Sequence, residues 1–352
     1  MVTLAEIADK LGISKTTVSL YLKDPDTKRV GKKTKIRIAA LVEELNYKPN
    51  VIAKSLSNAR SKTISVIMPY NGPFFRSSFV NEMLSGLQFE LFKHGYSIIF
   101  LPTYGEDSST MVKNHLQNSG GYDGIILFGT RYCTFQLLIE NAKMLMKDGI
   151  PFCAVNMPEL ALPINQIILR TLPESNPIEF FIKSGHREIL LVVGREQDPE
   201  SIETIHTYKT ILNEHGIPFS EDRIVYGDYE YDVTRSEIKK ILNQEHKFSA
   251  VYSLSDTMAI GVYTALKEYD YKIPDDISVI GTNDSFFSCY TDPPLTTVRK
   301  QVYKAGVEAA KTLLHTIQTG KTGRKIWLDS EFVFRNSTKV KEHIGIEEDL
   351  CL

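Results

Sequence analysis

No stretch of about 18 consecutive apolar residues occurs, so no segment is suited to cross a bilayer as a helix. The amino terminus lacks the charged and apolar regions of a secretory leader, and the protein is expected in the cytoplasm, away from any membrane. Cysteine is scarce and scattered: Cys133, Cys153, Cys289 and Cys351 stand singly, without a C-x-x-C pair or a Cys/His ligand spacing. That pattern argues against a disulfide framework or a zinc site, and no metal or cofactor is expected. Neither a phosphate loop of the form G-x-x-x-x-G-K-[ST] nor a nucleophile–base pairing is present, so the chain is not expected to be an enzyme and no catalytic residue is assigned.

The balance of charge is uneven along the chain. The net charge is −2, yet residues 1–62 hold 13 Lys+Arg against 6 Asp+Glu, and the remainder is net acidic, with 28 Lys+Arg against 37 Asp+Glu. A basic head on an acidic body suits a protein that brings one end to a polyanion, although a solvated helical surface carries charge too. At 352 residues the chain has room for two or three compact units.

The basic end opens with TLAEIADKLGISKTTVSLYL, Thr3 to Leu22, which reads as two short helices around one tight turn. Ile7, Ala8 and Leu11 share a helical face, Thr3 and Glu6 make a capping box, and Gly12 supplies the break. Ser14 is suited to cap a second helix that turns Val18 and Leu22 inward and leaves Lys15, Thr16, Ser19 and Leu20 on or near an outward face. A helix-turn-helix places the start of such a second helix in the major groove, but a plain helical hairpin shows the same local pattern. Lys32 to Leu45 returns to helical period through Ile38, Leu41, Val42 and Leu45, with Asn46 placed to stop it, and the three helices close a headpiece of roughly 45 residues. VIAKSLS, after Asn50, is too short to be a stable helix by itself, and a polar stretch to Lys62 completes a linker.

From Thr63 the texture changes to β/α alternation. The strand candidates are ISVIMP, YSIIFLP, GIILFG, PFCAVN, EILLVVG, SAVYSL and ISVIG, and helical patterns run over Val80–Lys93, Phe135–Lys147, Ile202–His215, Val233–Leu242 and Met258–Tyr269. Continuous apolar strands between helices predict parallel sheets covered on both faces. The first four strands form one set and Glu188 opens a second, which predicts an α/β fold of two doubly wound lobes facing each other across a cleft, with ligands beyond the carboxyl ends of the strands.

Several stretches in this order, TLAEIADKLGISKTTVS, ELNYKPNVIAKSL, FIKSGHREILLVVG, SLSDTMAIGVYTALK, IPDDISVIGTNDS and DPPLTTVRKQ, together resemble the lactose repressor/galactose repressor family of bacterial transcription regulators over nearly the whole chain. The resemblance implies a helix-turn-helix headpiece over 1–48, a hinge helix and linker over 49–62, and a two-lobe core like that of periplasmic sugar-binding proteins over 63–340. A tail follows over 341–352. It also implies a repressor that binds a palindromic operator in double-stranded DNA as a homodimer, modulated by a small effector, such as a sugar or sugar derivative, in the inter-lobe cleft. The tail has no sustained heptads, so a zipper-tethered tetramer is not expected.

On the recognition helix, the resemblance places Lys15, Thr16, Thr17 and Ser19 at base-reading and backbone-contacting positions. Leu20 departs from the arginine several members carry, and leucine offers only apolar contact, for instance to a thymine methyl. Thr3, Lys33, Thr34 and Tyr47 fall at positions of phosphate contact or headpiece packing. Asn50, Ala53, Lys54 and Leu56 match the hinge helix, which orders in the minor groove beside its dimer mate, with Leu56 as the wedge between base pairs.

In the cleft the resemblance gives less. Pro73, Phe74 and Phe75 match a loop at its mouth, and Gly227, Asp228 and Tyr229 match a segment that places an aromatic in the pocket. The family's frequent cleft arginine, asparagine and aspartate align with Thr204, Ser255 and Asn283, which removes the charges that hold sugar hydroxyls. The ligand is then different, or weakly bound, or absent. Arg131 can supply charge from the other lobe. Asp256 and Asp284 each read as a cap or as a ligand group, and His186 reads as structural.

Overall fold

The structure, a computed structural model, describes residues 2–47, 60–69, 74–103, 121–129, 135–244 and 247–339. It divides into two compact units, Met1–Ser61 and Lys62–Leu352.

In the first unit, α1 (Leu4–Leu11) starts on the expected capping box: Glu6 N donates to Thr3 Oγ1 at 3.3 Å and Thr3 N donates to Glu6 Oε2 at 3.2 Å. Gly12, at φ 65, ends the helix in the left-handed conformation that glycine adopts without a Cβ clash. Ser14 Oγ accepts the Thr17 N–H at 3.1 Å and so opens α2 (Lys15–Lys23). The third helix, α3 (Lys32–Glu44), is tied back by Arg37, whose guanidinium donates to the Leu11 carbonyl at 3.0 Å, and Asn46 follows it at φ 45. Ile7, Ala8, Val18, Val30 and Ile38 form the buried centre, with Leu41, Val42 and Leu45 half-buried around it. This is a small core, as the length of the segment dictates.

The second unit is built on two six-stranded sheets. One contains β1 (Thr63–Pro69), β2 (Ser97–Thr103), β3 (Gly124–Phe128), β4 (Phe152–Val155), β5 (Asn165–Arg170) and a late strand β11 (Lys325–Asp329), in the order β11-β5-β4-β3-β1-β2 and all parallel. Every residue of β3 is buried, because its alternate side chains serve opposite faces. Ile126 and Phe128 pack beneath α4 (Ser78–Lys93) and α10 (Val302–Thr319), while Ile125 and Leu127 pack beneath α5 (Phe135–Lys147).

The second sheet runs β12-β10-β9-β8-β6-β7, from β6 (Ile189–Val193), β7 (Ile224–Tyr226), β8 (Ala250–Ser253), β9 (Ser278–Thr282), β10 (Thr296–Arg299) and β12 (Glu331–Val333). Only the β10–β12 pair is antiparallel. Its helices are α6 (Pro177–Lys183), α7 (Pro199–Glu214), α8 (Tyr231–Asn243) and α9 (Asp256–Glu268).

One departure from the sequence reading sets the wiring. The chain does not leave the first sheet for good near Glu188: α10 returns to it and β11 pairs with β5. It therefore passes between lobes three times, after Arg170, after Arg299 and at Ser330. The three passages are bonded together. Ser330 N donates to the Arg170 carbonyl at 2.8 Å, Gln301 Nε2 to the Asp329 carbonyl at 2.8 Å, and Ser175 Oγ to the Ser330 carbonyl at 3.0 Å. Away from this hinge the lobes also touch through Ser285 Oγ, which donates to Ser78 Oγ at 3.2 Å.

Candidate functional site

On the head, the start of α2 leaves Lys15, Thr16 and Ser19 exposed, the disposition that groove reading requires. Thr17 is half-buried, and its Oγ1 lies 2.8 Å from Ser14 Oγ within the cap. Leu20 is less outward than its spacing implied: it packs partly against the head's core. Lys33 is exposed, Thr34 is half-buried, Thr3 is engaged in the capping box, and Tyr47 packs on the core. Asn50, Ala53, Lys54 and Leu56 lie outside the described residues, as do Arg131, Pro73 and the side chain of Phe74. Phe75 is exposed and meets Phe100 edge to face at 5.5 Å.

At the carboxyl edge of the second sheet, the segments after β6, β7, β8, β9 and β10 converge. After β6, Gly194 has no room for a side chain: a Cβ there would stand 2.0 Å from the ring of Tyr229, which occupies the space instead. Asp228 and Tyr229 both take left-handed backbone conformations, φ 52 and 57, which cost roughly 1–3 kcal/mol each for non-glycine residues and persist only when their surroundings impose them. Arg195 pairs with the Asp228 carboxylate.

Tyr229 OH donates to Glu200 Oε2 at 3.3 Å, and Glu200, in the first turn of α7, is ion-paired with Lys300 from the end of β10. Burial pushes the Glu200 carboxyl up, but the attraction of Lys300 and the hydrogen bonds from Lys300 and Tyr229 outweigh it and hold the group below its ordinary range. For Lys300 burial acts downward, and Glu200 reverses it, so the ammonium is held above its ordinary range. Thr204, half-exposed, stands one turn further along α7. This edge thus has a charged pair that sequence reasoning missed. Neither residue sits where the family's charges align, and the two are 100 positions apart.

The remaining candidates divide differently from expectation. Asp256 is not the cap of α9. Ser255 is, with its Oγ accepting Met258 N at 3.1 Å, because its extended backbone leaves it in the N-cap position. Asp256, fully buried, holds the neighbouring loop by accepting Ser285 N at 2.6 Å and the Thr297 hydroxyl at 2.7 Å. Asn283, at φ 103, donates its backbone N–H to Val298 and is half-buried. Asp284 accepts Arg299 Nε and a nitrogen of Arg335, each at 2.8 Å, so it is held by two guanidinium groups and does not cap a helix. His186 is structural in its contacts, with Nδ1 2.8 Å from Ser249 Oγ and its ring edge-on to Phe181. Among the described residues no group of three His, Cys, Asp or Glu could hold a metal ion, and no helix is long and apolar enough to cross a membrane.

A helix-turn-helix head followed by two parallel-sheet lobes hinged at three strands defines a class: DNA-binding regulators with a periplasmic-binding-protein-like body. Residues 3–50 match the model for bacterial regulatory proteins of the lacI family, and residues 178–338 match that for a periplasmic binding protein-like domain. The chain is 32% identical to the probable transcriptional repressor ExuR of Bacillus subtilis over 96% of its own length and 99% of that protein's. It is 28% identical to the repressor CytR of Escherichia coli, over 96% of each. Among solved structures, the lac repressor dimer bound to operator and the anti-inducer ONPF superimposes with a TM-score of 0.81 at 24% identity, covering 96% of this chain and 99% of that one. A regulator from Enterococcus faecium with bound ribose gives 0.63 at 25% identity, over 78% and 98% of the two chains. The chain belongs to the lacI family of bacterial regulatory proteins, whose members here are transcriptional repressors and not enzymes.

Proposed function

We propose that the protein is a cytoplasmic repressor that binds a palindromic operator as a homodimer and is released from it, or fixed to it, by a small effector between its lobes. The observation that carries the DNA-binding part is the exposed row of Lys15, Thr16 and Ser19 at the start of a helix in the basic end of the chain. Lys33 and Thr34 supply phosphate contacts, Thr3, Thr17 and Tyr47 set the head's geometry, and Asn50, Ala53, Lys54 and Leu56 form the minor-groove hinge. Large apolar side chains left open on the body support the dimer: Phe92 and Phe89 on α4 and Ile99 on edge strand β2 in one lobe, and Phe286 and Tyr290 beyond β9 in the other, with Phe92 74% and Tyr290 80% exposed. In the cleft, Phe75 and Tyr229 stack on the ligand, and Thr204, Asn283 and Arg131 contribute polar contacts. Ser255 acts through the helix it caps, α9.

An effector changes DNA affinity only through unequal affinity for the open and closed lobes. The three-strand hinge and the Ser285–Ser78 contact are where such states differ. Selection of bound DNA from a random library, with and without sugars and nucleosides, tests the reading: a palindrome whose recovery changes with ligand is expected. Binding that is insensitive to salt would contradict it, since lysine and arginine contacts to phosphate release counterions.

A further inference from the structure

Resting on the reading of the cleft as an effector site, we infer that Glu200, Lys300 and Tyr229 anchor the ligand, and that the part of the ligand they meet is an uncharged pair of adjacent hydroxyls, as on a sugar or ribosyl ring. All three lie at the carboxyl edge of the second sheet, on the segments following β6, β10 and β7, and Lys300 stands two residues before α10 begins the first lobe's next segment. The pair is held but not sealed: the Lys300 side chain is 19% exposed and that of Glu200 45%. Tyr229 is seated by the missing side chain of Gly194 and by the Arg195–Asp228 pair, so its hydroxyl is fixed on Glu200 before any ligand arrives.

The charge of the ligand follows from the pairing around it. Arg195 is matched by Asp228, Lys300 by Glu200, Arg299 by Asp284 and Glu331, and Arg335 by Asp284. Every one of these cations along the edge therefore has a carboxylate. An anionic ligand would have to take Lys300 from Glu200 and leave that carboxylate facing a second negative charge. A vicinal diol has no such conflict. One hydroxyl donates to Glu200, its neighbour accepts from Lys300, and both bonds are charge-assisted. The charges absent at Thr204 and Asn283 are thereby supplied from new positions.

The test uses the full-length protein and isothermal titration with ribose, glucose, cellobiose and uridine, each compared with a deoxy analogue and, for glucose, with glucuronate. At least one neutral member is expected to bind, to lose about tenfold or more in affinity with Glu200→Gln or Lys300→Gln, and to lose several-fold with Tyr229→Phe. The deoxy analogue lacking one of the adjacent hydroxyls is expected to bind wild type about tenfold more weakly and to show a smaller loss with Glu200→Gln, a coupling that a merely structural role would not produce. Binding unchanged in both charge variants would overturn the assignment, as would tighter binding of glucuronate than of glucose that Lys300→Gln abolishes, or no binding by any neutral member. A charged group shown in this way to sit on Lys300, in a ligand that alters operator binding, would leave the effector reading standing while removing the diol. An operator complex altered by no member of the panel would count against both.

Discussion

Gly86 on α4 and Gly306 on α10 are reciprocal: a Cβ on Gly86 would stand 2.0 Å from the Tyr303 carbonyl oxygen, and one on Gly306 2.1 Å from the Met83 carbonyl oxygen. Each helix backbone occupies the space where the other's side chain would be. Gly86→Ala or Gly306→Ala must push the helices apart, and each is expected to lower stability by about 1–3 kcal/mol, as overpacking does. The two share one contact, so the double variant should lose less than the sum. Urea denaturation followed by circular dichroism measures all three, and a neutral single variant would show that the crossing is looser than described.

Asp256 gives a pH dependence of unusual sign. Burial pushes its carboxyl up from an ordinary 3.8 to about 7, against the hydrogen bonds from Ser285 and Thr297 that favour the charged form. The folded state then holds the proton more tightly than the unfolded state, so this group's contribution falls as pH rises between about 4 and 7 and is flat above. Asp256→Asn should cost about 1 kcal/mol at pH 5 through a disturbed hydrogen bond, and flatten the decline between pH 5 and 7.5. Parallel stability profiles for wild type and variant would remove Asp256 as the source.

Asp284 sits between Arg299 and Arg335, and the Arg335 side chain is only 9% exposed. Asp284→Ala strands a buried guanidinium and is expected to cost about 3–5 kcal/mol. Glu331→Ala, which removes the exposed partner of Arg299, should cost less than about 1 kcal/mol. Equal losses in the two variants, read by thermal denaturation, would mean that burial does not govern this network.

Leu20 predicts a change of target. Leu20→Arg places a bidentate donor near the groove and should enrich guanine at one step of each selected half-site, at about 1–3 kcal/mol of discrimination. Because Leu20 also packs partly on the head's core, Leu20→Ala should lower the head's stability. Unchanged selected sequences with arginine in place would show that this position faces away from the bases.

What the sequence made legible follows from how strongly each feature depends on its neighbours in the chain. GIILF and ILLVV announce themselves because a strand buried on both faces must be apolar throughout, and Gly12, Ser14 and Thr3 act within four residues of themselves. The strands β5, β7, β10, β11 and β12 were missed because they lie at or near sheet margins and are short or carry polar residues such as Asn165, Gln166, Lys325, Asp329 and Glu331. In α10 the packing face includes Ala305, Gly306, Ala309 and Ala310, small because α4 lies so close, and small residues give a faint apolar stripe. The carboxyl edge of the second sheet was the least legible part. Glu200 and Lys300 acquire a relationship only through the sheet that brings the ends of β6 and β10 to one edge.

The triple passage between lobes bears on how the protein is made. The first lobe lacks α10 and β11 until residues 302–329 exist, and the second lacks β12 until residues 331–333 exist. During synthesis, therefore, the amino-terminal lobe waits with the α4 face of its sheet partly uncovered while the whole of the other lobe is translated, and the two are completed within a few residues of each other. Neither lobe can be cut out as one continuous stretch of gene, and a chain stopped at Arg299 would leave both unfinished.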